Sequence, residues 1–216
     1  RMNERLAEAE YRCAALERQI WDTVAENYAG KGNVVHFDAT LSPLAIRELA
    51  DHTAITDHAT ITADKIIVTT HFPILNKHGS YFLKLYQHRT YCLALENAPA
   101  INGMYVDESK TGLSFRSHEQ MLILGGGSHR TGKRGGNWTE LEHFAARHYP
   151  NATVRYRWAT QDCMSLDSIP YIGHYSARTP QLFVATGFNK WGMTTSMVAA
   201  NLLADLITGK ENPYAS

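Results

Sequence analysis

Apolar residues along the first third of the chain change period once, near residue 33. Over residues 2–28, Leu6, Ala9, Cys13, Leu16, Ile20 and Val24 recur every three or four positions, with Glu4, Glu8, Arg12, Glu17 and Arg18 between them. That spacing predicts an amphipathic helix stopped by Gly30-Lys31-Gly32. The heptad-like run lasts only about three repeats, less than a coiled coil requires, so the helix is expected to pack on a sheet. Beyond it, Asn33-Val-Val-His-Phe-Asp38 reads as a strand. Residues 44–62 read as short, polar-rich strands around turn signals at Asp51-His52 and Asp57-His58. Lys65-Ile-Ile-Val-Thr-Thr70 is a short and nearly all-apolar run ended by Pro73, the pattern of a strand buried on both faces of a parallel sheet.

Residues 80–125 alternate over longer stretches: Tyr81-Phe-Leu-Lys-Leu-Tyr86, Thr90-Tyr-Cys-Leu-Ala-Leu95, Gly112-Leu-Ser-Phe-Arg116 and Gln120-Met-Leu-Ile-Leu124. With Gly103, Lys110-Thr-Gly112 and Ser117-His118 as punctuation, they predict an antiparallel sheet of hairpins, aromatic on one face. A helix is expected from Asn137-Trp-Thr139, capped by Thr139, to about His148, before Pro150. A strand at 153–158, an irregular segment to Pro180 and a buried strand at 181–185 follow. The last helix is expected over 193–208, ending at Gly209.

The expected organisation has four segments. The N-terminal helix covers 1–32; residues 33–76 and 160–216 form an α/β layer; the antiparallel sheet at 77–159 is inserted between them. The fold class is therefore α/β with an inserted antiparallel sheet, an α+β arrangement taken as a whole.

Charge removes several functions from consideration. Lys+Arg and Asp+Glu are 21 each, so no net field points to nucleic acid or an anionic membrane. No apolar run approaches the ~20 residues of a membrane span. The opening Arg1-Met2 reads as an internal start without a signal peptide. Cys13, Cys92 and Cys163 lie far apart, which argues against a disulfide framework, a zinc site or an iron–sulfur cluster and suits a reducing cytoplasm. The eleven histidines are scattered, and no metal site is expected.

Two motifs carry candidate chemistry. Gly127-Ser-His-Arg-Thr-Gly132-Lys133 has the spacing of a phosphate-binding loop. Against it, Arg134 stands where a hydroxyl would hold magnesium, and Gly135-Gly136 leave no helix N-terminus there. A glycine-rich strand-to-helix connection is the simpler reading, with nucleotide binding the alternative. The second motif is Thr186-Gly-Phe-Asn-Lys-Trp-Gly-Met-Thr-Thr195, between an apolar strand and a helix rich in small residues, Ser196, Ala199, Ala200 and Ala204. Gly187 and Gly192 allow sharp turning and close approach to a flat ligand. The helix start directs unpaired N–H groups and the positive end of its dipole into the turn. On spacing alone, an ordinary strand-to-helix turn is the simpler reading.

The strand–Thr-Gly-Phe-x-x-x-Gly-Met-Thr–helix order, followed by Asp205-Leu-Ile-Thr-Gly209, resembles the C-terminal flavin signature of the D-amino-acid oxidase/glycine oxidase (DAO) family of FAD-dependent oxidoreductases. Asp167-Ser-Ile-Pro-Tyr-Ile-Gly173 resembles that family's segment beside the flavin, and residues 63–73 resemble the strand where its flavin domain resumes. The loop Gly125-Gly-Gly-Ser-His-Arg-Thr-Gly132 is similar to bacterial members, and close relatives carry a Rieske domain. The resemblance covers about 33–216.

It implies FAD as cofactor, an amine or amino-acid substrate, and hydride transfer from the carbon bearing nitrogen to the flavin, with electrons passing on to an acceptor. Mapped onto this sequence, Gly187, Phe188, Asn189, Lys190, Trp191, Gly192, Met193 and Thr194 line the flavin ring, with Thr69, Thr70, His71, Pro170 and Gly173 nearby. Tyr81, Tyr86, Tyr91 and Arg130 are the substrate candidates on the inserted sheet, with Arg157 a second cation. The family's Gly-x-Gly-x-x-Gly strand, which seats the FAD pyrophosphate, does not occur in these 216 residues. A missing N-terminal segment is accordingly an expected partner, and a catalytically inactive remnant of such an enzyme is the alternative. The family's Arg-Pro pair after the sheet, whose Arg clamps the substrate carboxylate, is replaced by Gln161-Asp162, which puts an amino-acid substrate in question; no catalytic residue is assigned.

Overall fold

The computed structural model describes residues 34–37, 46–56, 59–73, 78–108 and 112–215. The expected N-terminal helix at 1–32, the turn at Asp57-His58 and most of Lys110-Thr-Gly112 lie outside them. The chain divides into two compact units, one taking it up to Leu85 and again from Ser165, the other formed by 86–164.

The first unit holds a four-stranded sheet in the order β1-β5-β12-β11, where β1 is Val34–Phe37, β5 Lys65–Val68, β12 Thr179–Thr186 and β11 Tyr171–Ser176. The pairs β1–β5 and β5–β12 are parallel, and β11 closes the edge antiparallel to β12. Ile66, Ile67 and Val68 are all buried, as an apolar run in a parallel sheet requires. Helix α2, Gly192–Thr208, presents Ala199 and Leu203 to Ile67, Phe183 and Ala185 of the sheet. Its alanines keep the helix close, and Gly209, with φ 70°, ends it. A three-stranded antiparallel meander, β2 Ile46–Leu49, β3 Thr53–Thr56 and β4 Thr60–Thr62, joins β1 to β5. It is tied to β12 where the Gln181 N–H donates to Asp51 Oδ1 at 2.7 Å.

The second unit is an antiparallel sheet in the order β10-β6-β9-β8-β7. The strands are β6 Leu85–Glu96, β7 Met104–Val106, β8 Ser114–His118, β9 Met121–Arg130 and β10 Thr153–Ser165. Helix α1, Thr139–His148, covers one face, burying Leu141 and Ala145 against Tyr91, Leu93, Leu95, Leu122 and Leu124. By strand alternation Tyr86, His88, Thr90 and Cys92 lie on the opposite face of β6, where Thr90 and Ser128 hydroxyls meet at 3.0 Å.

Several expectations are corrected here. Residues 81–83 are a 3-10 turn, not a strand, because left-handed Gly79 and Ser80 turn the chain into bonds from Leu83 N–H to Ser80 and Lys84 N–H to Tyr81. Residues 159–180 are not irregular: β10 runs on to Ser165 and β11 begins at Tyr171. Polar Thr160, Gln161 and Asp162 conceal β10 by breaking its apolar pattern. Thr139 is the first residue of α1, not its cap. The start is fixed instead by Trp138, whose indole N–H lies 3.1 Å from both the Cys92 and Trp158 carbonyls.

The glycine-rich segment is not a phosphate loop. Gly125 to Arg130 belong to β9, bulged opposite Arg89 and Tyr91. A Cβ at Gly125 would lie 2.5 Å from Ser114 Oγ, so β8 packs where a side chain would stand. These glycines sit in a paired strand, and α1 begins nine residues after Arg130. A strand in place of the loop, with no helix directly after it, argues against nucleotide binding at Gly127–Lys133.

The tyrosines of the first unit set an alkaline limit. Tyr81 packs edge-on to Tyr175 and Tyr171, and its hydroxyl donates to the Tyr175 carbonyl at 3.0 Å. Burial pushes the Tyr175 phenol up to about 12, and burial followed by the neighbouring tyrosines raises Tyr81 further. Both folded values exceed the unfolded value of about 10. Their contribution is therefore complete below pH ~10 and is lost as pH rises through the folded values. Denaturant midpoints are expected to be flat from pH 8 to 9.5 and to fall steeply by pH 11.5. Tyr175→Phe should flatten that fall, and an equal fall in this variant would contradict the assignment.

Candidate functional site

Parallel strands β5 and β12 are neighbours, so residues 69–71 and 187–191 leave the same end of the sheet, where an open α/β sheet forms its crevice. The Thr186 hydroxyl donates to the His71 carbonyl, which joins the two exits. The Thr70 hydroxyl donates to Phe72 O at 3.0 Å and holds the turn that follows β5. Tyr171 pairs with Thr186 in the β11–β12 ladder, which brings 170–173 beside them. The structure thus brings together all three segments expected around one ligand.

The loop between β12 and α2 bends through three left-handed residues, Gly187, Asn189 and Lys190. The Trp191 N–H donates to Phe188 O at 2.8 Å, and Thr195 N–H donates to Trp191 O at 2.9 Å as the first bond of α2. The N–H groups of Gly192, Met193 and Thr194 therefore have no acceptor within the helix. A Cβ built on Gly192 meets nothing within 4 Å, so the space beside this residue is open. Trp191 and Met193 are exposed, at 68% and 82%. Fixed donors, positive helix dipole, open space and flanking apolar surface fit a flat ring that carries negative charge along one edge.

The turn 166–170 brings the carboxylate of Asp167, from the segment that resembles the family's flavin-side motif, to this end of the sheet. The Ile169 N–H at 3.1 Å, with the Tyr171 hydroxyl at 3.0 Å, holds the Asp167 carboxyl below the usual range. Ser165, 3% exposed, bonds to Asn189 and ties this turn to the loop before α2.

The substrate candidates are separated. Tyr81 is buried in the core of the first unit and is not on the sheet. Tyr91 is 4% exposed and lies on the α1 face, its hydroxyl 3.1 Å from His129 Nε2 and 3.3 Å from Asn137 Oδ1. Of the tyrosines proposed, Tyr86 alone reaches the face opposite α1, with the Arg130 guanidinium 4.8 Å from its ring centre. Arg157 is paired with Glu142 at 2.7 Å. No His/Cys/Asp/Glu group able to hold a metal occurs among the described residues. Nor is any described helix long and apolar enough to cross a membrane.

The sequence model of the DAO family, FAD-dependent oxidoreductases, matches residues 21–206. The chain belongs to this family. It is 33% identical to YhfW of Bacillus subtilis (strain 168), a protein named for a Rieske 2Fe-2S centre, over 92% of this chain and 40% of that one. Glycine oxidase from Geobacillus kaustophilus shares the fold with a TM-score of 0.65 at 21% identity, over 79% of this chain and 49% of that chain. L-Proline dehydrogenase from P. horikoshii does so with a TM-score of 0.64 at 16% identity, over 80% and 51%. The chain thus spans about half the length, or less, of these relatives. FAD is the cofactor by which the family is described.

Proposed function

We propose that this chain carries the ring-binding part of an FAD site in an oxidoreductase acting on the C–N bond of an amine or amino-acid-like molecule. The observation that carries this reading is the start of α2, three N–H groups without an intrahelical acceptor, with open space beside Gly192, at the C-terminal ends of β5 and β12. Bound there, the flavin would supply the hydride acceptor. Gly192, Met193 and Thr194 would donate to its electron-rich edge, and Gly187 would allow close backbone approach. Thr69–His71 and Pro170–Gly173 would line its surroundings, and Trp191 would shield it from water.

Residues 165–216 with the strands before Leu85 serve the cofactor in this reading, and the sheet of 86–164 serves the substrate. Arg130 on Tyr86 is the sheet's candidate contact for substrate, since Tyr81 and Tyr91 are committed to cores. A segment gripping the ADP half of FAD and an acceptor for the electrons are the partners of the complete enzyme in this reading; the ring contacts of this chain are expected to retain the flavin by themselves. Among the described residues Cys92 and Cys163 form no disulfide, which fits a reducing cytoplasm.

Thr194→Glu distinguishes the cofactor role from ordinary packing. Thr194 is exposed in the first turn of α2, where a carboxylate favours the helix by about 0.3–1 kcal/mol. Folding is expected to be unharmed, while the new charge repels the electron-rich flavin edge. Affinity for FAD should fall on the order of tenfold, which is about 1.4 kcal/mol. Unchanged affinity in a normally folded variant would contradict the placement of the ring.

A further inference from the structure

The loop before α2 contains two consecutive non-glycine residues in the left-handed region, Asn189 at φ 53° and Lys190 at φ 69°. Such a pair persists only where the surroundings over-determine it. Asparagine tolerates that region better than most residues, but tolerance alone does not select a conformation. The Asn189 side chain does. Its Oδ1 faces the Ser165 N–H at 3.0 Å and the Ser165 hydroxyl at 3.3 Å. Its Nδ2 donates to Ser165 Oγ at 2.9 Å and to the Gly187 carbonyl at 2.8 Å. The Ser165 N–H can only donate, which fixes the amide orientation. The bond to Gly187 closes the turn on itself, and the bonds to Ser165 anchor the closed turn to a buried residue.

We infer that Asn189 is a positioning residue: it holds the Gly187–Trp191 turn so that the first N–H groups of α2 face the flavin ring. The inference rests on the flavin reading above for its ligand, and on the hydrogen-bond geometry for the clamp. Aspartate at 189 would keep the acceptor for the Ser165 N–H but set a carboxylate against the Gly187 carbonyl. Glycine would keep the backbone freedom and remove every side-chain bond. The two substitutions therefore separate the clamp from mere compatibility with positive φ.

The test uses the full chain as wild type, Asn189→Gly and Asn189→Asp, with two readouts. One is amide hydrogen exchange without FAD; the other is titration with FAD followed by the visible spectrum. Asn189→Gly is expected to speed exchange across 186–195 on the order of tenfold, as loss of the bonds anchoring one turn allows. Exchange across 139–148 should be unchanged. FAD affinity should fall by a similar factor and the bound-flavin spectrum should move toward that of free FAD, with Asn189→Asp intermediate. Wild-type exchange across 186–195 in Asn189→Gly overturns the clamp, whatever FAD does. Faster exchange with unchanged affinity and spectrum overturns its role toward the flavin. Faster exchange in a protein whose wild type ignores FAD leaves the clamp standing and removes the flavin reading instead.

Discussion

Leu141→Ala is expected to cost the second unit about 2–5 kcal/mol of stability, the range for emptying a buried leucine site. Leu141 is 0% exposed and meets Tyr91, Leu93, Leu95, Leu122 and Leu124 beneath α1. The site has little room to relax. A Cβ at Gly126 would lie 3.0 Å from Leu141 Cδ2, so the strand backbone already runs close beneath the side chain. Collapse into the vacated space would require β9 to move with its ladder bonds to β6 and β8. A cost near the upper part of that range is therefore expected, read as a shift in the denaturant midpoint at unchanged m-value. Glu140→Gln, on the exposed side of the same helix, should stay within about 0.5 kcal/mol. A Leu141→Ala midpoint indistinguishable from wild type would show that α1 does not pack as described.

Gly79→Ala should be comparably damaging to the first unit, for a different reason. Gly79 has φ 72°, a conformation that costs an L-residue with a side chain about 1–2 kcal/mol. The added Cβ would also lie 2.4 Å from Tyr81 Cε2 and 2.8 Å from the Tyr175 carbonyl. The second contact is backbone and does not yield cheaply, so overpacking adds about 1–3 kcal/mol. Tyr81 is held by its hydrogen bond to the same carbonyl and cannot swing away without breaking it. Gly112→Ala is the internal comparison: its φ is 58°, yet its Cβ meets nothing within 4 Å. Conformational strain alone applies there. Equal losses in the two variants would mean that the packing around Gly79 is not as tight as described.

Those costs show which parts of the molecule were legible as sequence. The run 65–68 announced a buried parallel strand because apolar residues on both faces have few other uses, and β5 is that strand. The alternation in 90–95 and 120–124 announced half of a sheet correctly, since its core face is apolar at every second position. Where alternation is broken by polar residues, as at Thr160, Gln161 and Asp162, the strand is held by ladder bonds and packing that no local pattern reports. The glycines at 125–127 imitated a phosphate loop, and the difference lies in Ser114 and Leu113 approaching from another strand and its connection, a purely tertiary fact.

The candidate site was half legible. Thr186-Gly-Phe and the small-residue helix marked the loop and the helix start correctly, because glycines before an amphipathic helix have a local geometric meaning. What joins that loop to its surroundings was hidden. Asn189 reaches Ser165 across 24 residues of sequence, and Thr186 reaches His71 across 115. Tyr81 and Tyr91 enter as substrate candidates only through the family resemblance, which sets the inserted sheet over the substrate. Their burial removes them, because a phenol already bonded inside a core has no face to offer a ligand.

The most direct measurement is the visible absorption spectrum of the purified chain, before and after addition of FAD and removal of the excess. Flavin bands that stay with the protein and are shifted from those of free FAD are expected, because the α2 start would fix donors against the ring. A protein that stays colourless after exposure to FAD would contradict the flavin reading, and would leave the chain with the family's fold but without its cofactor site.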